Sequence, residues 1–181
     1  MSKSIKVSAV AVFIVLGGLY WWLTKPIKIE QNLDGVYYQL GGSGSSATER
    51  IKVNLSGTAY RNLKGFTKYV GTVDVSNLVL PKAAGTWELQ PIQLDLEGSG
   101  HISYFAFHNG KMDIFHYGEL YTNRAMTQWT ITVYEQSPTD AISRGWTSKD
   151  GFMVSAPAST REEALNISNE LMGDAMFGKL R

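Results

Sequence analysis

Apolar residues follow three patterns along the chain. The first is continuous: Val7 to Leu23 reads VSAVAVFIVLGGLYWWL, 17 residues without a charge. As a helix rising 1.5 Å per residue this covers about 25 Å, close to the hydrocarbon thickness of a bilayer. Tyr20, Trp21 and Trp22 cluster at its far end, where amphipathic rings favour the headgroup zone. Lys3 and Lys6 precede the run; Lys25 and Lys28 follow it, partly offset by Glu30. The bias, counting the amino terminus, favours a cytoplasmic N-terminus. A cleaved signal peptide would need small residues where this run ends Leu19-Tyr20-Trp21-Trp22-Leu23. A helix apolar all round needs protein or lipid on every side. The expectation is a short cytoplasmic tail (1–6), a single-pass transmembrane signal-anchor (7–23) and a polar tether containing Pro26 (24–34). An extracytoplasmic domain (35–175) and a short tail (176–181) follow.

The second pattern has period two, the mark of strands with one wet face. Val36–Leu40 reads as a first strand, ending at the glycine- and serine-rich loop Gly41–Ser46. Ile51, Val53 and Leu55 alternate with polar residues, as do Tyr69, Val73 and Val75, then Ile92, Leu94 and Leu96. Trp129–Tyr134 and Phe152–Ser155 add two more, for about eight strands. His108-Asn109-Gly110-Lys111 is a two-residue hairpin signal, because a type I′ turn needs positive φ at both central positions. It pairs Phe105 with Ile114, Tyr104 with Phe115 and Ser103 with His116. A second turn at Glu97–Gly100 would pair Leu96 with His101 and Ile92 with Phe105. One face then carries Ile92, Leu94, Leu96, Phe105, Phe107, Met112 and Ile114, the expected core. The opposite face is also apolar: Ile102, Tyr104, Ala106, Phe115 and Tyr117, joined by Trp129, Ile131 and Val133. Either something covers that second face, or a bulge near Gly118 exchanges the two.

The third pattern is helical. Ser159 and Glu162 fit a capping box, and Ala164, Leu165, Ser168, Leu171, Met172 and Ala175 share one face of a helix at about 160–172, with Gly173 as its stop. The fold class expected is therefore mainly β, an antiparallel meander, sandwich or partly open barrel. One C-terminal amphipathic helix completes it, and an N-terminal transmembrane helix precedes it.

Composition narrows the function. The 181 residues are 44% hydrophobic and 12% aromatic, too apolar for a disordered chain. Seventeen Lys and Arg against 16 Asp and Glu leave a net charge of +1, without the basic footprint of a nucleic-acid binder. No cysteine is present, which excludes disulfides, thiolate metal sites and cysteine nucleophiles. Two-residue turns and missing cysteines fit an exported protein of a bacterial envelope.

Chemistry-bearing motifs are few. His101 and His116 fall diagonally on neighbouring strands, but their neighbours supply no further ligand, so no metal is expected. Asp95, Glu97 and Glu119 gather at one end of the aromatic face, as an acid–base group or as a solvated rim. Neither Gly-x-Ser-x-Gly, a Walker lysine nor His-Glu-x-x-His occurs, and no cofactor is implied. Tyr104, Phe115, Tyr117, Tyr121 and Trp129 form the candidate ligand-binding face, unless packing buries them as a second core layer. Three functions stay open: a membrane-tethered, non-catalytic binding or scaffolding module meeting an envelope protein or cell-surface ligand; a small barrel holding an apolar or saccharide ligand; and an envelope hydrolase using the carboxylates.

Overall fold

The computed structural model describes residues 3–41, 48–76, 86–136, 144–173 and 178–181. Most of the expected loop Gly41–Ser46, and the helix-face residue Ala175, lie outside the described residues. Helix α1 (Lys3–Thr24) leads into three long strands, β1 (Ile27–Gln39), β2 (Glu49–Asn62) and β3 (Gly65–Val75). Two short pieces of one extended segment follow, β4 (Glu88–Leu89) and β5 (Ile92–Gln93), then the hairpin β6 (Ser99–His108) and β7 (Lys111–Thr122). The chain continues through β8 (Trp129–Val133), the small pair β9 (Glu135–Gln136) and β10 (Arg144–Gly145), β11 (Phe152–Ala156) and α2 (Arg161–Met172).

Nine strands form one antiparallel sheet in the order β4-β6-β7-β8-β11-β1-β2-β3-β5, curled into a half-barrel. Right-handed strand twist accumulates over such long neighbours and rolls the sheet around its apolar face. The segment carrying β4 and β5 touches both ends of the curl. Leu89 pairs with Tyr104 of β6, and Ile92 pairs with Tyr69 of β3. The second expected turn is thus corrected: Phe105 faces Glu88, not Ile92, because the segment leaves β6 after Gln90 to join β3. The expected tether is also strand from Ile27 onward. Ile27, Ile29 and Leu33 point one way and Lys28, Glu30 and Asn32 the other, an alternation that lets the segment pair with β2 from Ala59 to Val53.

The His108–Lys111 turn forms as expected, with Asn109 at φ 47° and Gly110 at φ 74°, and its register holds back to Ser103 and His116. Beyond it the ladder slips, Ile102 facing Gly118, so Tyr117 is the extra residue of a bulge. A Cβ on Gly118 would lie 1.8 Å from the Thr132 carbonyl oxygen, so only glycine permits this approach. The bulge switches sides along β7: Phe115 and Tyr117 belong to the interior, then Leu120, while Tyr121 joins the outer cluster.

The inside of the curl is the main core. It collects Ile29, Val53, Leu55, Tyr69, Val73, Ile92, Leu94, Ile102, Tyr104, Phe115, Leu120 and Trp129, with others. Of the face expected to be the core, only Ile92 and Leu94 are inside. Leu96, Phe107, Met112 and Ile114 are exposed, and the aromatic face has taken the interior. Periodicity groups residues on one face, but with two apolar faces it does not choose which turns inward.

A second core lies outside the sheet, under α2. Val36, Tyr38, Leu40, Tyr121 and Met153 meet Ala164, Ile167 and Met172 there. Ile167 belongs to the buried face although the helical spacing did not include it; Leu165 and Leu171 are half-buried. The cap is shifted by one residue from the expected position: Thr160 accepts from the Glu163 amide at 3.2 Å, and Glu163 accepts from the Ser159 amide at 2.8 Å. Gly173 ends the helix at φ 69°. The last residues pack back, Leu180 buried and bonded through its backbone to the Asn169 side chain.

Four hydroxyls fasten α2 to the sheet. Ser168 lies 2.6 Å from Tyr38 Oη, 2.8 Å from Ser155 Oγ and 3.0 Å from Thr130 Oγ1, and donates to the Ala164 carbonyl at 3.1 Å. All four side chains are buried. Such a group costs stability when broken, because a stranded buried hydroxyl loses its water without replacement. Ser168→Ala removes the hub and is expected to cost about 2 kcal/mol, against about 1 kcal/mol for Tyr38→Phe, in equilibrium denaturation. Equal or reversed costs would contradict the shared cluster.

Candidate functional site

Four of the five aromatic candidates meet in the interior, each held by protein groups. Tyr104 donates its hydroxyl to the Val73 carbonyl at 2.9 Å, and burial, then the Asp74 charge, pushes its pKa up to about 12. Burial likewise raises Tyr117. Phe115 packs 6.1 Å from Trp87. Trp129 is 1% exposed; its indole N–H donates to Gln31 Oε1 at 2.9 Å and to the Met126 carbonyl at 3.1 Å, and its ring meets Tyr69 edge-on at 6.2 Å. Gln31 also donates to the Met126 carbonyl, at 2.8 Å, so one side chain ties the β7–β8 connection to the indole. Tyr121 stands apart: the bulge turns it onto the outer wall, where it donates to Glu119 Oε2 at 2.9 Å. Its pKa is raised by burial first and then by that carboxylate. A ligand reaching this face would have to displace packed rings.

The carboxylates are engaged locally. Asp95 Oδ1 accepts from the Glu97 and Ser99 amides, both at 2.9 Å, and Oδ2 accepts from the Ser99 hydroxyl at 2.7 Å. Asp95 and Glu97 line a surface groove of about 330 Å³, whereas Glu119 is bonded to Tyr121. His101 pairs with Glu119 across the ladder and is exposed. His116 Nδ1 lies 2.9 Å from Ser103 Oγ, and the bulge separates it from the His101 pair. No three His, Asp or Glu side chains converge as a metal site among the described residues.

The outer face of the β6–β7 hairpin is different in kind. Phe107 is 61% exposed, Met112 54% and Ile114 53%, with Phe105 half-buried beside them. Phe107 faces Met112 and Phe105 faces Ile114 across the ladder, and the two phenyl rings meet edge-on at 5.3 Å. Among the described residues the β7–β8 ladder begins at Gly118, and the Tyr134 amide donates to the Tyr117 carbonyl. From Lys111 to Ile114, β7 is paired with β6 alone among the described residues. An apolar face beside an open strand edge is the arrangement that accepts an added strand. The signal was already in the residues: both faces of this hairpin are apolar, and one half-barrel hides only one of them.

Asp95 gives the turn a pH signature. Partial burial, the largest single effect, acts upward, but the Ser99 hydroxyl and the Ser99, Glu97 and Gly98 amides outweigh it and hold the carboxyl below 3.8. A lowered native pKa adds stability above the unfolded value and loses it as pH falls through the native one. Asp95→Asn is therefore expected to melt below the wild type at pH 7, with the gap closing below about pH 4. A gap that stays constant to pH 3 would remove Asp95 from the turn's support.

Compared with known protein families, curated proteins and solved structures, the chain matches none.

Proposed function

We propose that the chain is a single-pass, membrane-anchored module with its β domain outside the cytoplasm, and that it binds a protein partner of the envelope without catalysis. The observation that carries this is the exposed apolar face of Phe107, Met112 and Ile114, beside a stretch of β7 (Lys111–Ile114) that pairs with β6 alone among the described residues, on a half-barrel whose interior is filled by its own aromatics. The partner it fits offers an extended apolar segment: backbone groups would continue the β7 ladder and side chains would cover Phe107, Met112 and Ile114. A ligand barrel finds less support, since Trp129 and its neighbours occupy the interior. A carboxylate hydrolase also finds less, since Asp95 and Glu119 serve as local acceptors.

Among the described residues no helix is long and apolar enough to cross a membrane, and the side chains of α1 are described from Val12. The anchor reading rests on the uncharged run from Val7 and on what its described part does. The large apolar side chains from Val12 to Leu23 are 37–76% exposed and enter neither core cluster. A chain that leaves such a helix outside its folded body needs another apolar solvent for it. Strand β6 runs from the 95–98 turn, at the end of the sheet near the C-terminus of α1, to its tip at His108. The hairpin patch would then face away from the bilayer, toward a partner.

Two measurements test the two halves. Alkaline carbonate washing of membranes from the source cells should leave the full chain in the pellet; release to the supernatant would refute the anchor. A photo-crosslinking residue at Met112 should give a discrete adduct in those cells, absent from the same probe at Glu162. The double variant Phe107→Asp, Ile114→Asp should abolish it while changing stability by no more than about 0.5 kcal/mol, since both sites are exposed. Adducts equal at both positions, or indifferent to the double variant, would refute the docking face.

A further inference from the structure

The junction of α1 with the half-barrel has a chemistry of its own. Arg61, at the end of β2, donates from Nη2 to the Trp22 carbonyl at 2.9 Å and from Nε to the Lys25 carbonyl at 3.2 Å. It thereby pins the β2–β3 turn beside the last turn of α1, where a cation also suits the helix dipole. The turn is preformed: Asn62 Oδ1 accepts from the Lys64 amide at 2.7 Å and the Gly65 amide at 3.2 Å. Between turn and helix lies a pocket of about 230 Å³, whose lining includes the apolar Leu23, Leu63 and Phe66 and the cations Arg61, Lys64 and Arg124. Among the described residues no carboxylate lines it. Neither Lys64 nor Arg124 is in an ion pair among the described residues. Leu63, at the tip, is 65% exposed.

We infer that this pocket binds the headgroup of an anionic phospholipid; the inference rests on the anchor reading above. Trp21 and Trp22 would place the pocket at headgroup depth, since indole rings settle at that level. A phosphate would sit among three cations, the fork of Arg61 already oriented by its two carbonyls. The first methylenes of the acyl chains would meet Leu23 and Leu63. Three cations in a lining without a carboxylate among the described residues favour a headgroup of net negative charge over a zwitterionic one. Asp95, Glu97 and Glu170 line the adjoining 330 Å³ groove together with Lys64 and Arg124, and bound the site on that side. Placed so, the lipid would fix the domain's height and tilt on the bilayer, and with them the direction in which the hairpin patch points.

The test uses the full chain in nanodiscs of phosphatidylcholine with about one-third phosphatidylglycerol, and counts the lipids retained after mild extraction by native mass spectrometry. The wild type should retain phosphatidylglycerol at least about five-fold over its share of the mixture, with the enrichment lost in Lys64→Glu, Arg124→Glu and reduced in Lys64→Gln, Arg124→Gln. Glu97→Gln should leave it in place. Millimolar inorganic phosphate should not displace the retained lipid; bound phosphate with no lipid enrichment would assign the pocket to a soluble anion and overturn the inference. Insertion of the wild type without enrichment would overturn the lipid site while sparing the anchor. Failure of the wild type to enter nanodiscs would overturn the anchor, and the site with it.

Discussion

A curled sheet has one inside, and this chain brings two apolar faces to its central hairpin. Everything else follows from how that conflict is resolved. Tyr104, Ala106, Phe115 and Tyr117 turn inward with Ile102, Trp129 and Ile131, which leaves Phe107, Met112 and Ile114 outside. The choice favours the rings whose polar atoms find partners in the interior, as Tyr104 does at Val73 and Trp129 at Gln31. The bulge at Tyr117–Gly118 then reverses the sides of β7, so Tyr121 reaches the outer wall where α2 lies.

Among the described residues the outer wall is thus covered in one half and open in the other. Over β1, β8 and β11 the cover is α2, positioned by the hydroxyls of Tyr38, Thr130, Ser155 and Ser168 rather than by apolar contact alone. Such a cluster has geometry, so it specifies where the helix sits as well as that it sits. Over the distal part of β6 and β7 nothing among the described residues plays that part. The apolar surface left there is the one that the proposed partner would cover.

Much of this was legible in the residues. The Asn109-Gly110 turn dictated its own hairpin and the six cross-strand pairs from His108–Lys111 back to Ser103–His116, because positive φ at two positions admits few alternatives. Strand alternation and the C-terminal helix were equally plain. What the pattern left undecided depends on tertiary facts: which apolar face is inner, how far the segment after β4 travels to reach β3, and that Ile27–Leu33 is strand rather than tether. Tyr104, Phe115, Tyr117 and Trp129 lie together inside the curl and Tyr121 lies outside it, so what they form is a core. The open hairpin face carries no motif at all; it is recognisable only once the interior is known to be full.

The aromatic face is the interior and the Phe107–Met112–Ile114 face is the surface. Hydroxyl-radical footprinting of the intact full-length protein, read residue by residue by mass spectrometry, addresses it directly. Rapid labelling of Phe107 and Met112 with protection of Trp129, Met126 and Tyr117 is the predicted result. Rapid labelling of Trp129 and Tyr117 with Phe107 and Met112 protected would contradict it.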